Sequence, residues 1–322
     1  MTLIEPLKFE RRFLAKVWGG RALESKPGFA LPPEQKIGET WELVDRVDEN
    51  SSVARGELAG RSLGELMQAH GRAILGRAPA GKHGRFPLLV KYIDAAENLS
   101  VQVHPDDESA TRVPGAEAKT EAWYIVDVRP GAKLYAGLRA DVTREHFARV
   151  AAGPGVVDTL LAWDVRAGDC LLVPGGTVHA ISAGVTILEV QQNSDTTYRL
   201  WDWGRAGRET HVAQALEVIG FGAPPPAPMT PRWLRGAEGD LAQLAASPHF
   251  AMDSLRLRAR TRRTTREQFQ IYAVLEGAAS LHWSGRDYRL ERGDVWLVPA
   301  CVGEHDLVPA GEALLVNMFW RR

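Results

Sequence analysis

Short apolar runs, each cut off by Gly, Pro or Asp, set the tightest limit on what this chain can become. They are Thr40–Val44, Leu88–Ile93, Ser100–Val103, Ala122–Val128, Cys170–Val173, Val185–Gln191, Ile271–Leu275, Ser280–Trp283, Val295–Val298 and Ala313–Phe319. Their length and punctuation read as strands of a sandwich or barrel rather than as alternating strand–helix units. Helical periodicity is confined to a few places. Ser62 is placed to cap a helix carrying Leu63, Leu66, Met67, His70 and Ile74 on one stripe, an insertion near residues 61–77. Thr143 can cap a short helix through Val150, and a third is expected from Val212 to Ile219. The fold expected is mainly β with a few inserted helices.

A composition break falls at Gly220–Pro231, where G-F-G-A-P-P-P-A-P-M-T-P holds five prolines. Such a stretch cannot continue a helix or a central strand, so it is a linker or an extended wrap. It divides the chain into an expected catalytic unit, 1–220, and a smaller β unit, 221–322; the alternative is a long surface loop within one domain. The two parts echo each other. Gly168-Asp-Cys-Leu-Leu-Val-Pro174 matches Gly293-Asp-Val-Trp-Leu-Val-Pro299: a Gly-Asp turn, a buried strand and a Pro that ends it.

Composition narrows the partners. Lys plus Arg number 39 against 40 Asp plus Glu, so no electrostatic footprint for nucleic acid is expected. The Arg-rich stretch Arg256–Arg266 reads as a solvated face or loop. No apolar run reaches the ~20 residues of a membrane span, and the N-terminus lacks the pattern of a signal peptide. The two cysteines, Cys170 and Cys301, stand far apart without C-x-x-C spacing, which suits a reducing compartment. These features point to a soluble, cytoplasmic protein acting on something small.

Four clusters carry chemistry. In Asn98-Leu-Ser-Val-Gln-Val-His104, strand alternation puts Ser100, Gln102 and His104 on one face and Val101 and Val103 on the other. A polar face of this kind lines a cavity or is a solvent-facing edge. In Lys119-Thr-Glu-Ala-Trp, Lys119, Glu121 and Trp123 share a face ahead of an apolar stretch. A carboxylate entering a buried strand needs a partner, either a metal ion or Lys119. In Gly168–His179, the strand ends at Pro174 and two glycines present His179 at a fixed offset, which resembles the second motif of cupins, small β-barrels with an interior metal. Gln102, His104, Glu121 and His179 thus offer one oxygen–nitrogen ligand set suited to zinc or another divalent first-row ion. In the fourth cluster Glu189, Gln191 and Asn193 share a face, and Arg199 lies between Tyr198 and Trp201, where it suits phosphate or sugar oxygens or a structural stack.

The ordered motifs P-L-L-V-K-Y-I-D-A, N-L-S-V-Q-V-H-P-D-D, K-T-E-A-W-Y, P-G-G-T-V-H-A-I and Y-R-L-W-D-W-G-R resemble type I mannose-6-phosphate isomerases in their short bacterial form. V-W-G-G at Val17–Gly20 and I-G-E-T-W-E-L at Ile37–Leu43 are similar to the start of that family. The resemblance implies two cupin-like (jelly-roll) β-barrel units, the second without a complete metal site. It implies zinc held by Gln102, His104, Glu121 and His179. It assigns Arg199 and Lys119 to the active site, Lys91 and Ser100 to the substrate phosphate, with Arg199 a further candidate, and Glu189 to the reacting sugar carbons. Larger members carry Tyr two residues after the last His ligand, where this chain has Ile181. The reaction implied is interconversion of mannose 6-phosphate and fructose 6-phosphate through a cis-enediol(ate), with either Lys119 or Glu189 shuttling the proton. Other readings are an iron-dependent cupin dioxygenase, or a non-catalytic sugar-phosphate sensor. A monomer or homodimer is expected, and the second unit, whose His305 is displaced by one position relative to His179, is expected to serve structure or dimer contacts.

Overall fold

Each of the ten apolar runs becomes a strand in the computed structural model, which describes residues 4–321. The three expected helices form at Leu63–Leu75, Arg144–Val150 and Val212–Val218. Ser62 caps the first through a reciprocal pair: its hydroxyl accepts from the Glu65 amide, and the Glu65 carboxylate accepts from the Ser62 amide at 2.8 Å. Thr143 caps the second in the simpler way.

The strands assemble into four antiparallel sheets. One has six strands in the order Arg12–Gly20, Ile37–Leu43, Leu88–Ala95, Val185–Gln192, Glu121–Val128 and Cys170–Val173. It faces a five-stranded sheet ordered Tyr198–Trp201, Val101–Val103, His179–Ile181, Lys133–Leu138 and Leu160–Asp164. The later part of the chain repeats the arrangement with a seven-stranded sheet, Leu7–Lys8 at one edge, facing a four-stranded one. No sheet closes on itself among the described residues, so the barrel expectation is corrected to two open sandwiches.

The two large sheets pack against each other. Val90, Tyr92, Leu188 and Val190 from the first share one continuous core with Ile271, Ala273, Val316 and Met318 from the second. Alternation then turns Lys91 and Glu189 to the opposite face, into the first sandwich. This explains why Leu88–Ala95 and Val185–Gln192 are buried almost throughout: one face fills the core between sandwiches, the other lines a cavity.

The Gly-Asp echo is structural. Gly168 and Gly293 both have positive φ, +95° and +85°. Their amides donate to Ile125 and Val274 respectively, and each following Asp carboxylate accepts from the amide three residues earlier. The proline-rich stretch runs extended along the edge strand Cys170–Val173, with Met229 and Cys170 exchanging both backbone hydrogen bonds at 2.8 and 3.0 Å.

Several strands escaped the sequence reading, among them Arg12–Gly20, Lys133–Leu138, Ala251–Leu257 and Thr261–Thr264, because their apolar content is low or broken. The Arg-rich stretch keeps its expected solvated face, with Arg258, Arg260, Arg262 and Arg266 exposed, but the loop alternative is corrected to two strand segments and a turn. Arg258 reaches Asp240 at 2.6 Å, Arg260 and Arg262 reach Asp306, and Arg263 is half-buried.

Candidate metal centre and substrate pocket

The five-stranded sheet supplies three of the four expected ligands. Gln102 lies at the middle of Val101–Val103 and pairs directly with His179, the first residue of its strand, while His104 follows where Pro105 ends the strand. Val101 and Val103 point away into the cluster beneath helix Val212–Val218, so Ser100 and Gln102 line the cavity and His104, fully buried, meets Gln102 on the same side, as alternation requires. Glu121 opens its strand in the facing sheet.

The four side chains converge. Gln102 Nε2 lies 3.2 Å from His179 Nε2 and 3.5 Å from His104 Nε2. Each imidazole Nε2 is 3.4 Å from a different oxygen of Glu121. One donor atom from each of His104, Glu121 and His179 falls within 4.8 Å of the others, all buried. Both Nδ1 atoms are engaged with backbone carbonyls, His104 with Thr196 at 2.8 Å and His179 with Thr177 at 2.9 Å. That bond places the proton on Nδ1 and leaves the Nε2 lone pair aimed at the centre, the outer-shell arrangement of a metal-binding histidine. Burial lowers both imidazole pKa values, with the Lys119 charge adding for His104, so the rings are neutral and able to ligate at neutral pH. For Glu121 burial acts upward, but Lys119 and the two imidazoles outweigh it and hold the carboxyl below its usual range.

Two buried carboxylate oxygens each sit against an ammonium rather than in a well-aligned hydrogen bond: Lys119 Nζ is 2.8 Å from Glu121 Oε2 and Lys91 Nζ is 3.2 Å from Glu189 Oε1. Two neutral imidazoles and a buried carboxylate fit a divalent ion, and the Gln102 carboxamide would join them by turning its Oε1 inward from Ser100.

Around this centre the cavity has a volume of about 310 Å³. Lys119 Nζ sits 3.0 Å from His104 Nε2 and 4.0 Å from Glu189 Oε1. Lys91 pairs with Glu189 at 3.2 Å. Burial works against the Lys91 ammonium, yet Glu189, Glu39 and Glu121 together raise its pKa above the ordinary lysine value. Glu189 is pushed up to about 7, first by burial and then by the Glu121 charge, with Lys91 and Lys119 opposing. Ser100 Oγ donates to Gln102 Oε1 at 3.0 Å. Arg199 lines the same cavity, pairs in register with Gln102, and donates to the Glu209 carbonyl at 2.8 Å while its Nε is buried without a partner. The structure thus gathers Gln102, His104, Glu121, His179, Lys91, Ser100, Lys119, Glu189 and Arg199 in and around one pocket, whereas Asn193, expected on the face of Glu189 and Gln191, turns away to the Asp45 and Phe86 carbonyls.

It also adds residues the sequence reading passed over. Glu39 is buried, accepts from Trp41 Nε1 at 2.9 Å and lies 3.7 Å from Lys16 Nζ. Trp18 stands between Lys16 and Arg208, whose charged ends lie 5.8 and 5.0 Å from its ring. Spacing alone could not separate Glu39 from Glu42 three positions on, which is equally buried but pairs with Arg11 outside the pocket.

The family model for the phosphomannose isomerase type I catalytic domain matches residues 7–127. The mannose-6-phosphate isomerase ManA of Bacillus subtilis is 35% identical over 323 residues, covering 98% of this chain and 99% of that one. The chain belongs to the type I phosphomannose isomerase family. The mannose-6-phosphate isomerase of Streptococcus mutans is 35% identical over 303 residues, 92% of this chain and 93% of its own. The crystal structure of the mannose 6-phosphate isomerase from Bacillus subtilis superimposes with a TM-score of 0.88 at 29% identity, over 98% of this chain and 99% of that chain. A second family model, the AraC-like ligand binding domain, matches residues 251–318.

Proposed function

We propose that this pocket interconverts mannose 6-phosphate and fructose 6-phosphate, with a divalent ion, zinc by donor type, held by Gln102, His104, Glu121 and His179. The observation that carries the reading is the convergence of two Nδ1-anchored imidazoles and a buried carboxylate at the floor of a hexose-sized cavity. When bound, the ion supplies a Lewis acid that stabilises negative charge developing on the sugar oxygens during enolisation. Glu189 takes the proton from C2 of the aldose and returns it to C1. It is favoured over Lys119 because its pKa is pushed up to about 7, near the working range of a base, whereas Lys119 is committed to Glu121 and His104. Lys119 contributes fixed positive charge beside the reacting oxygens.

The pocket holds five basic side chains, Lys16, Lys91, Lys119, Arg199 and Arg208, against four acidic ones. A divalent ion enlarges that surplus and so favours a phosphate dianion. Lys91, Ser100 and Arg199 are the proposed phosphate contacts, which use remote binding energy to orient the reacting carbons. The division into units 1–220 and 221–322, a cytoplasmic location and the absence of nucleic-acid partners belong to the same reading.

A coupled assay for fructose 6-phosphate tests it. Turnover of mannose 6-phosphate should vanish on chelation and return with zinc. A zinc-loaded, folded protein that leaves mannose 6-phosphate unchanged would sink the proposal.

A further inference from the structure

The second sandwich carries a point-by-point counterpart of the first pocket, and strand registers identify its members. Glu121 pairs with Val173, the residue before Pro174; Gln270 pairs with Val298, the residue before Pro299. His179 pairs with Gln102, and His305 pairs with Arg263. The His305 ring repeats the anchor of His179, its Nδ1 meeting the carbonyl two residues back at 3.1 Å. Two residues beyond Gln102 and Arg263 stand His104 and Thr265; two residues before them stand Ser100 and Thr261. Through the neighbouring strands, Asn317 occupies the place of Glu189 and Asp253 the place of Lys91.

The substitutions change the chemistry in one direction. Glu121, the only carboxylate ligand, becomes the amide Gln270, and Gln102 becomes Arg263, a fixed cation where the first pocket has a metal ligand. The guanidinium replaces the ion rather than joining it. Lys91 becomes an acid, so the phosphate-binding charge is gone as well. A cleft of about 320 Å³ nevertheless opens beside two of these counterparts, Thr261 and Arg263, with Leu241, Leu255 and Leu257 and the turn 236–240 as its other walls; the remaining counterparts lie outside it. Behind it, Tyr272 Oη meets His305 Nε2 at 3.1 Å and Asn317 Nδ2 donates to Gln270 at 2.9 Å, while Arg263 Nε and Asn317 Oδ1 are buried without partners. Arg263 Nε, a buried donor left open on a residue that lines the cleft, is what a ligand hydroxyl would satisfy.

We propose that this cleft is a second ligand site, for a neutral hexose-sized sugar. Its hydroxyls face Arg263 and Thr261, and its C–H face lies on the three leucines. The inference rests on register and burial in the second sandwich and is independent of the isomerase reading.

Saturation-transfer NMR on the full chain with D-mannose, D-fructose and D-glucose tests it, in wild type, His104→Ala, Thr261→Trp and Arg263→Leu. At least one sugar should give a signal that persists in His104→Ala and falls fivefold or more in Thr261→Trp, which fills the cleft without touching the buried polar groups. Arg263→Leu should lower it likewise. A Tm for Thr261→Trp within about 2 °C of wild type shows that the fold is kept. The proposal is overturned if no neutral hexose gives a signal, if the signal survives in Thr261→Trp, or if it is lost in His104→Ala whatever the cleft variants do.

Discussion

Single residues set the chemistry of the pocket through a balance of buried charge. Glu121 touches both imidazoles and Lys119, so its removal leaves an ammonium and two lone pairs facing one another. Glu121→Gln and His179→Ala should each reduce bound metal to below a tenth of an ion per chain by elemental analysis, with turnover falling at least 100-fold; full metal content in either variant would remove that side chain from the ligand set. Glu189 plays a different part. Glu189→Gln should keep metal and bind substrate while kcat falls at least 100-fold. Because the group acts as a base with a pKa pushed up to about 7, kcat should rise with pH as Glu189 ionises. The bound ion's own charge favours the carboxylate, so this limb should lie at or below that value. A flat profile from acid to neutral pH would count against Glu189 as the base. These residues were legible because alternation on a strand is a strict rule: Ser100, Gln102 and His104 had to share a face, and so did Lys119 and Glu121. Glu39 was not, because a lone buried acid on a strand looks the same whether it faces a pocket or pairs with an arginine.

At the scale of elements, local chemistry placed the helices and turns, and long-range pairing placed the edge strands. The Ser62–Glu65 capping box was readable as S-x-x-E ahead of an apolar stripe. Ser62→Ala should destabilise the protein by about 1 kcal/mol, a fall in Tm on the order of 2 °C, with turnover unchanged. An equal Tm would mean that packing against Ala300–Val302 alone holds the helix. Asp240 shows the opposite case. On a strand of alternating Ala and Leu it reads as an interruption, yet Arg258 and then Arg235 bind its carboxylate and hold its pKa below the usual range. The ion pair therefore stabilises the fold above the unfolded-state value, ~3.9, and its contribution is lost as pH falls through the lower folded value. Asp240→Asn should lower Tm at pH 7, and the gap to wild type should close in acid. A gap that stays constant down to pH 2 would show that the charge plays no part.

For the whole molecule, the decisive feature is the core shared by the two large sheets. Met318 and Val316 from the end of the chain pack with Leu88 and Val90 from its first half, and Leu7–Lys8 at the start adds a strand to the second sandwich. Calorimetry should therefore show one cooperative transition. Met318→Ala should lower stability by about 2–5 kcal/mol and shift that transition as a unit; two separated transitions would mean the sandwiches unfold independently. Removing metal with a chelator should lower the same Tm, since an ion bound only by the folded state stabilises the whole of it.

The sequence by itself determined the strands with strong apolar runs, the capped helices, and which polar residues share a face, because these depend on backbone period and on contacts a few residues apart. Tertiary structure alone decided that Gln102, His104, Glu121 and His179 meet, that the sheets remain open, and that Arg263 stands where the first sandwich has a metal ligand. Those outcomes depend on the register between strands far apart in the chain. A shift of one residue would turn every side chain to the other face, and no local pattern records it.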